Sequence, residues 1–163
     1  MTTVAFDGKT LAADSRCINS DGYKDGVKKL AQTDRYAFGI AGSLMDLEVL
    51  VDAFLLMEKS LEESNLNTWG SVPMVMEQDV SNSLLLVIEK ETLNVHTVFI
   101  DDNKVLRRQP EIAPVAIGSG SYVALPAMNL YGRSAKQAVE DAMTMDIGTG
   151  GEVKVIELGG STH

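Results

Sequence analysis

Thr2-Thr3-Val4-Ala5-Phe6-Asp7-Gly8-Lys9-Thr10-Leu11-Ala12-Ala13-Asp14-Ser15-Arg16, directly after Met1, is the stretch on which the fold turns. Apolar residues close the segments 2–6 and 9–13, and the Asp7-Gly8 between them favours the positive φ of a tight hairpin. Two antiparallel strands are expected, with Thr2 at the start of the first. Pairing then brings the N-terminal end close to Asp14, just past the second strand. An initiator Met followed by a small residue is usually trimmed, and trimming would leave Thr2 with a free α-amine beside its own hydroxyl. A threonine hydroxyl is a poor nucleophile until a base takes its proton, and an N-terminal amine is one such base. Its ordinary pKa of about 7.7–8.0 leaves it partly neutral near pH 7. Met-Thr-Thr also opens many ordinary chains as plain strand, so the chemistry depends on what lies further along.

The chain has 163 residues, 45% of them hydrophobic, which suits one domain, 1–163, with a substantial core. Its net charge of −9 comes from interspersed acidic and basic residues. Without a cationic stripe, no nucleic-acid partner is expected. No basic segment followed by an apolar run opens the chain, and no apolar run reaches the roughly 18 residues of a membrane span. A cytoplasmic protein without a membrane partner is the expectation. The single cysteine, Cys17, cannot form an internal disulfide, and with only His96 and His163 a Ser-His-Asp triad or a histidine metal site has little to draw on. Any base must be another group.

Outward from the hairpin, a polar loop with Asp21-Gly22 and Asp25-Gly26 leads to Val27-Lys28-Lys29-Leu30-Ala31, whose alternation predicts a strand with one lysine inward and one outward. Tyr36 to Gly42 reads as a buried strand whose glycines permit close backbone approach. Ser43 with Asp46 resembles a capping box, and Leu44, Leu47, Leu50, Val51, Phe54 and Leu55 recur at helical spacing. A short helix is expected over Val72 to Asp79, then strands over Leu84 to Ile88 and Val95 to Ile100 with a turn at Asp101 to Lys104. Ala113 to Ile117 runs into Gly118-Ser119-Gly120-Ser121 and a helix ending near Gly132. This junction lacks the third glycine of a dinucleotide fingerprint, so no nucleotide is expected here. Ser134 with Gln137 opens another helix, to about Met145, and the chain closes with Asp146-Ile147-Gly148-Thr149-Gly150-Gly151 and a strand over Val153 to Leu158. Such an order suits a layered α+β domain better than a doubly wound sheet.

Taken together, Thr2-Thr3, Asp14-Ser15-Arg16, Val27-Lys28-Lys29, Ala41-Gly42, Gly118-Ser119-Gly120 and Asp146 to Gly151 resemble, in order and spacing, the signature of proteasome β-type subunits and the bacterial HslV-type peptidase. That resemblance implies an N-terminal-nucleophile hydrolase: a four-layer αββα sandwich, with two antiparallel sheets between helical layers. It implies Thr2 as nucleophile, Asp14 as the buried carboxylate and Lys29 as the lysine beside the nucleophile. A fixed Lys29 ammonium would lower the pKa of a neighbouring amine, and Asp14 would keep that lysine charged. Gly42 matches the residue whose N–H faces the oxyanion, where a side chain would obstruct the substrate. Ser119, Asp146 and Thr149 match the polar residues that orient the N-terminus and shuttle protons.

By the same resemblance, Cys17, Val27, Ala31, Ile40 and Leu44 line the pocket for the residue preceding the cut. All are apolar or small, which implies cleavage after hydrophobic residues. Further implied are a homo-oligomeric ring, two stacked rings of six or seven, polypeptide substrates and an ATP-dependent unfoldase or other activator. ATP belongs to that partner, because this chain has no P-loop and no cofactor of its own is expected. Asp14-Ser15-Arg16 is nearer the proteasome form and Ala116 to Gly120 nearer HslV. Two other readings stand beside the peptidase: a structural ring subunit that retains Met1 and has no activity, and an amidase acting on a small amide.

Overall fold

The structure, a computed structural model, describes residues 2–65, 69, 74–77, 80 and 82–159. Its first hairpin forms as the sequence predicts, with β1 (Val4–Phe6) antiparallel to β2 (Thr10–Ala13) and Val4 opposite Ala13. Asp7 Oδ1 accepts the Lys9 and Thr10 N–H groups at 2.9 and 2.8 Å, and Gly8 supplies a φ of +103°. Thr2 and Thr3 precede the strand. β10 (Val115–Ile117) and β11 (Lys154–Glu157) flank the hairpin to give a sheet in the order β10-β1-β2-β11.

A second sheet runs in chain order through β5 (Leu30–Gln32), β6 (Tyr36–Ala41), β7 (Leu84–Glu89), β8 (Val95–Ile100) and β9 (Leu106–Glu111). A small two-stranded sheet joins β3 (Cys17–Asn19) to β4 (Gly22–Lys24). Every pairing among the described strands is antiparallel. The helices among the described residues are α1 (Asp46–Glu63), α2 (Ser121–Tyr131) and α3 (Ala135–Met143). α2 ends on Gly132 at φ 66°, and α3 opens with the capping box read from Ser134 and Gln137.

Alternation along the strands sorts the core into three clusters. Tyr36, Phe38 and Ile40 of β6 join Leu85, Val87, Val98 and Ile100 against Leu50, Phe54, Met57 and Leu61 of α1. Ala37 and Ala41, on the opposite face of β6, meet Val4, Phe6, Leu11 and Ala13 of the first sheet, together with Leu86 and Ile88. The other face of the first sheet gives Ala5 and Ala12 to Ala124, Ala127, Ala135, Ala138, Val139 and Ala142 of α2 and α3. The four- and five-stranded sheets therefore each bury both faces.

Several elements differ from the sequence reading. β5 begins at Leu30 rather than Val27, because the Val27 N–H donates to the Ser15 carbonyl (3.0 Å) instead of joining a sheet. α1 has no capping box: Asp46 Oδ2 accepts the Ser83 hydroxyl at 2.5 Å, and the N-cap is Met45, without a side-chain bond. Where a short helix was expected over 72–79, the described residues 74–77 are not helical. Val75 bridges Val105, and the Met76 and Leu106 N–H groups donate to Lys104 O and Met74 O. Residues 72, 73, 78 and 79 lie outside the described residues, as do Met1, Gly70 and His163. The expected polar loop holds the β3–β4 hairpin, and β9 is the edge of its sheet among the described strands, where Pro110 is tolerated because no described strand pairs with it on the outer side.

Candidate functional site

Thr2, Asp14 and Lys29 converge where the first hairpin meets the segment before β5, and all three are buried, at 3%, 1% and 2% exposure. Lys28, its neighbour, is exposed, so the lysine pair splits as the alternation predicted. Lys29 Nζ donates to Thr2 Oγ1 at 2.9 Å and to Asp14 Oδ1 at 2.8 Å. Asp14 Oδ1 also accepts the Thr3 N–H (3.1 Å), while Oδ2 accepts the Arg16 and Gly150 N–H groups at 3.3 and 3.0 Å. With that many donors the buried carboxylate is satisfied, as a buried charge must be. Burial lowers the Lys29 pKa below its usual 10.5, although the Asp14 carboxylate pulls the other way. An ammonium held here can stabilise negative charge on Thr2 Oγ1.

The nitrogen of Thr2 faces a second group of side chains. Thr2 N–H donates to Ser119 Oγ at 3.2 Å, and the Ser119 hydroxyl donates to Asp146 Oδ2 at 2.6 Å. Thr149 donates to the same oxygen at 2.6 Å and its Oγ1 lies 2.8 Å from Thr3 Oγ1. Burial pulls the Asp146 pKa up, but the hydrogen bonds from Ser119 and Thr149 outweigh it and hold the carboxyl below its usual value. Gly118 takes φ +96°, and a Cβ there would collide with the Thr2 carbonyl oxygen, so the Gly118-Ser119-Gly120 turn lies directly against Thr2.

Gly42 follows β6 with φ +129°. A Cβ at Gly42 would sit 2.8 Å from Ser83 Cα and 2.9 Å from Asn82 O and would collide with Ser83 Oγ. The sequence reading explained this glycine by substrate approach. Within the fold a side chain here would also meet residues 82–83, which hold the next residue through Ser43 N–H to Ser83 Oγ at 3.1 Å.

Cys17, Val27, Ala31 and Leu44 are half-buried. Val27 and Ala31 share a cleft of about 490 Å³ lined by residues 26–32 and 154–156, which does not include Cys17, Ile40 or Leu44. Ile40 is fully buried among the side chains that pack on α1. It can act on a pocket only as backing.

The sequence reading gave no role to Thr3, Ser83 or the Arg16–Asp25 pair. Arg16 Nε and Nη2 bond both oxygens of Asp25 at 2.9 and 3.2 Å, and Nη1 reaches Ile147 O at 3.4 Å. Its guanidinium lies where a Cβ of Gly150 would be, so Arg16 ties 25–26 to the 146–151 loop. The run of glycines there was the available signal. No group of metal-ligating side chains occurs among the described residues, and no helix among them is long and apolar enough to cross a membrane.

No family model matches the chain, and no curated protein matches it. Among solved structures, Thiobacillus denitrificans BPH in complex with Epoxomicin is similar, with a TM-score of 0.63 over 98% of this chain and 99% of that one. Identity is 17%, so the likeness is one of fold.

Proposed function

We propose that the chain is a threonine peptidase of the proteasome β or HslV type, folded as a four-layer αββα sandwich of the N-terminal-nucleophile kind. One observation carries this reading: a buried Lys29 Nζ lies 2.9 Å from Thr2 Oγ1 and 2.8 Å from Asp14 Oδ1. The three core clusters, which join α1, the five-stranded sheet, the four-stranded sheet and α2–α3, support the layered architecture. A fold like that of BPH, which binds Epoxomicin, is in keeping with it.

Removal of Met1 gives Thr2 a free amine at the nitrogen that meets Ser119 Oγ. The amine takes the Oγ1 proton, Oγ1 bonds to the substrate carbonyl carbon, and the carbonyl π pair moves onto its oxygen. Gly42 N–H is the donor for that oxyanion, a contribution of about 2.7–4 kcal/mol where such donors have been removed. The amine's proton passes to the leaving nitrogen as the C–N bond breaks, leaving an ester on Thr2. Water, deprotonated by the same amine, then cleaves the ester and restores the hydroxyl. Positioned base catalysis of this kind is typically worth about 10²–10⁴-fold. Lys29 stabilises the charge that develops on Oγ1 and disfavours a second ammonium beside it.

The substrate is unfolded polypeptide, cut after hydrophobic residues. The pocket is drawn from Val27 and Ala31, which share one cleft, and from Cys17 and Leu44 outside that cleft, with Ile40 behind, and a charged side chain there would lose hydration. The working form is a pair of stacked rings of six or seven identical chains fed by an ATP-dependent unfoldase, and light scattering of a monomer at micromolar concentration would remove that assembly. Intact-mass analysis reads whether Thr2 is free. In a chain lacking Met1, Thr2→Ala abolishes turnover of fluorogenic peptides ending in Leu, and peptides ending in Arg or Glu are cut poorly. Full turnover by Thr2→Ala would sink the mechanism. Lys29→Ala also loses activity, but it leaves Asp14 buried and unpaired at a cost of about 3–5 kcal/mol, so Thr2→Ala is the cleaner test.

A further inference from the structure

We propose that Thr3 is a positioning residue for this site, its hydroxyl linked to the Thr2 nitrogen by two hydrogen-bonded arms that converge on Asp146, one from Thr3 through Thr149 and the other from the Thr2 N–H through Ser119. Its consequence for turnover rests on the peptidase reading. The direction of each arm follows from counting protons. A hydroxyl has one proton to give. Thr149 gives its proton to Asp146 Oδ2 at 2.6 Å, so in the 2.8 Å contact between Thr149 Oγ1 and Thr3 Oγ1 the donor is Thr3. Ser119 likewise gives its proton to Asp146 Oδ2, at 2.6 Å, and accepts the Thr2 N–H at 3.2 Å. Two arms thus point into one carboxylate oxygen, and each donor polarises the next.

Thr3 and Thr149 are 0% and 1% exposed, so water does not compete for the link. Gly120 is an independent sign that this contact is built in. A Cβ there would collide with Thr3 Oγ1 and lie 3.0 Å from Thr149 Oγ1, so the second glycine of Gly118-Ser119-Gly120 leaves room for the two hydroxyls. The backbone of Thr3 serves the opposite side of Thr2. Its N–H donates to Asp14 Oδ1 at 3.1 Å, the oxygen that holds Lys29 Nζ, and its carbonyl accepts the Asp14 N–H at 3.2 Å. One residue therefore sets both the lysine beside Oγ1 and the serine beside the nitrogen. Only the hydroxyl part can be removed by substitution.

Thr3→Val keeps the shape and deletes the donor; Thr3→Ser keeps the donor and deletes the methyl. In the chain lacking Met1, Thr3→Val is expected to lower kcat roughly five- to ten-fold with KM unchanged, the size of one lost hydrogen bond. Thr3→Ser is expected to recover most of that loss. Equal kcat for Val and wild type, equal losses for Val and Ser, or a change confined to KM would each overturn the proposal. If wild-type turnover does not depend on Thr2, the peptidase reading fails, and the chain of hydroxyls is judged by unfolding instead. There Thr3→Val and Ser119→Ala, combined in one chain, are expected to destabilise by less than the sum of the single changes. Strict additivity would overturn the proposal.

Discussion

The α1 side and the α2–α3 side of the molecule are packed from different materials. On the α1 side, Tyr36 and Phe38 meet Phe54 edge-on, with ring centroids 5.0 and 5.8 Å apart, and Trp69 closes the far side of Phe54 at 5.7 Å. On the other side, Ala5 and Ala12 of the sheet meet helices that answer mostly in alanine, with Met128 and Val139 beside it. Aromatic packing contributes area and edge-to-face attraction. Alanine contributes little area but lets backbones approach closely. The candidate site hangs from the alanine side: β1 follows Thr2, α2 starts just after Ser119, and Asp146 and Thr149 follow α3. Bulk supplies stability on one side, and closeness sets geometry on the other.

Phe54→Ala breaks the comparison if it falls. This substitution is expected to cost about 3–5 kcal/mol in denaturant unfolding, yet leave kcat per folded molecule nearly unchanged. Ala138→Leu, by contrast, is expected to cost only about 1–3 kcal/mol through overpacking. It should lower kcat the more of the two, because α3 cannot recede from the hairpin without moving Asp146 and Thr149. Equal kcat losses in the two variants would mean that the two sides are not distinct.

Titration sharpens the comparison further, because Lys29 and Asp146 both belong to the site. Burial lowers the Lys29 pKa, so the alkaline limb of kcat is expected below the ordinary lysine value of 10.5. Over the same range the unfolded chain binds more protons than the folded one, so this group's contribution to stability rises with pH as activity falls. Asp146 has the same sense in an acid window: its lowered pKa gives stability that is complete above 3.8 and lost as pH falls through the folded value. Paired profiles of kcat and melting temperature against pH check both signs.

Local chemistry made much of this legible in advance. Asp7-Gly8 specified the first hairpin, Ser134 and Gln137 the start of α3, and Lys28-Lys29 the split between an exposed and a buried lysine. Partners distant in sequence were not legible. Ser43 and Asp46 read as a capping box, but Ser83, 37 residues beyond Asp46, claims its carboxylate. β9 escaped notice because Arg107, Arg108 and Pro110 suit an edge strand rather than a buried one. Thr3 was passed over as ordinary strand, since its two roles depend on Asp14 and Thr149, 11 and 146 residues away.

The ion pairs at the two ends of Asp14-Ser15-Arg16 will not respond alike to ionic strength. Arg16 and Asp25 keep 24% and 45% of their side chains in solvent, where mobile ions about 8–10 Å deep in the diffuse layer can screen them. Asp14 and Lys29 keep 0% and 1%, and counter-ions cannot reach between them. Added salt therefore weakens the attraction that ties the 146–151 loop to Asp25 while the charges beside Thr2 keep their full field. Two adjacent elements of one short motif are thus insulated from each other electrically, and the surrounding medium acts on only one.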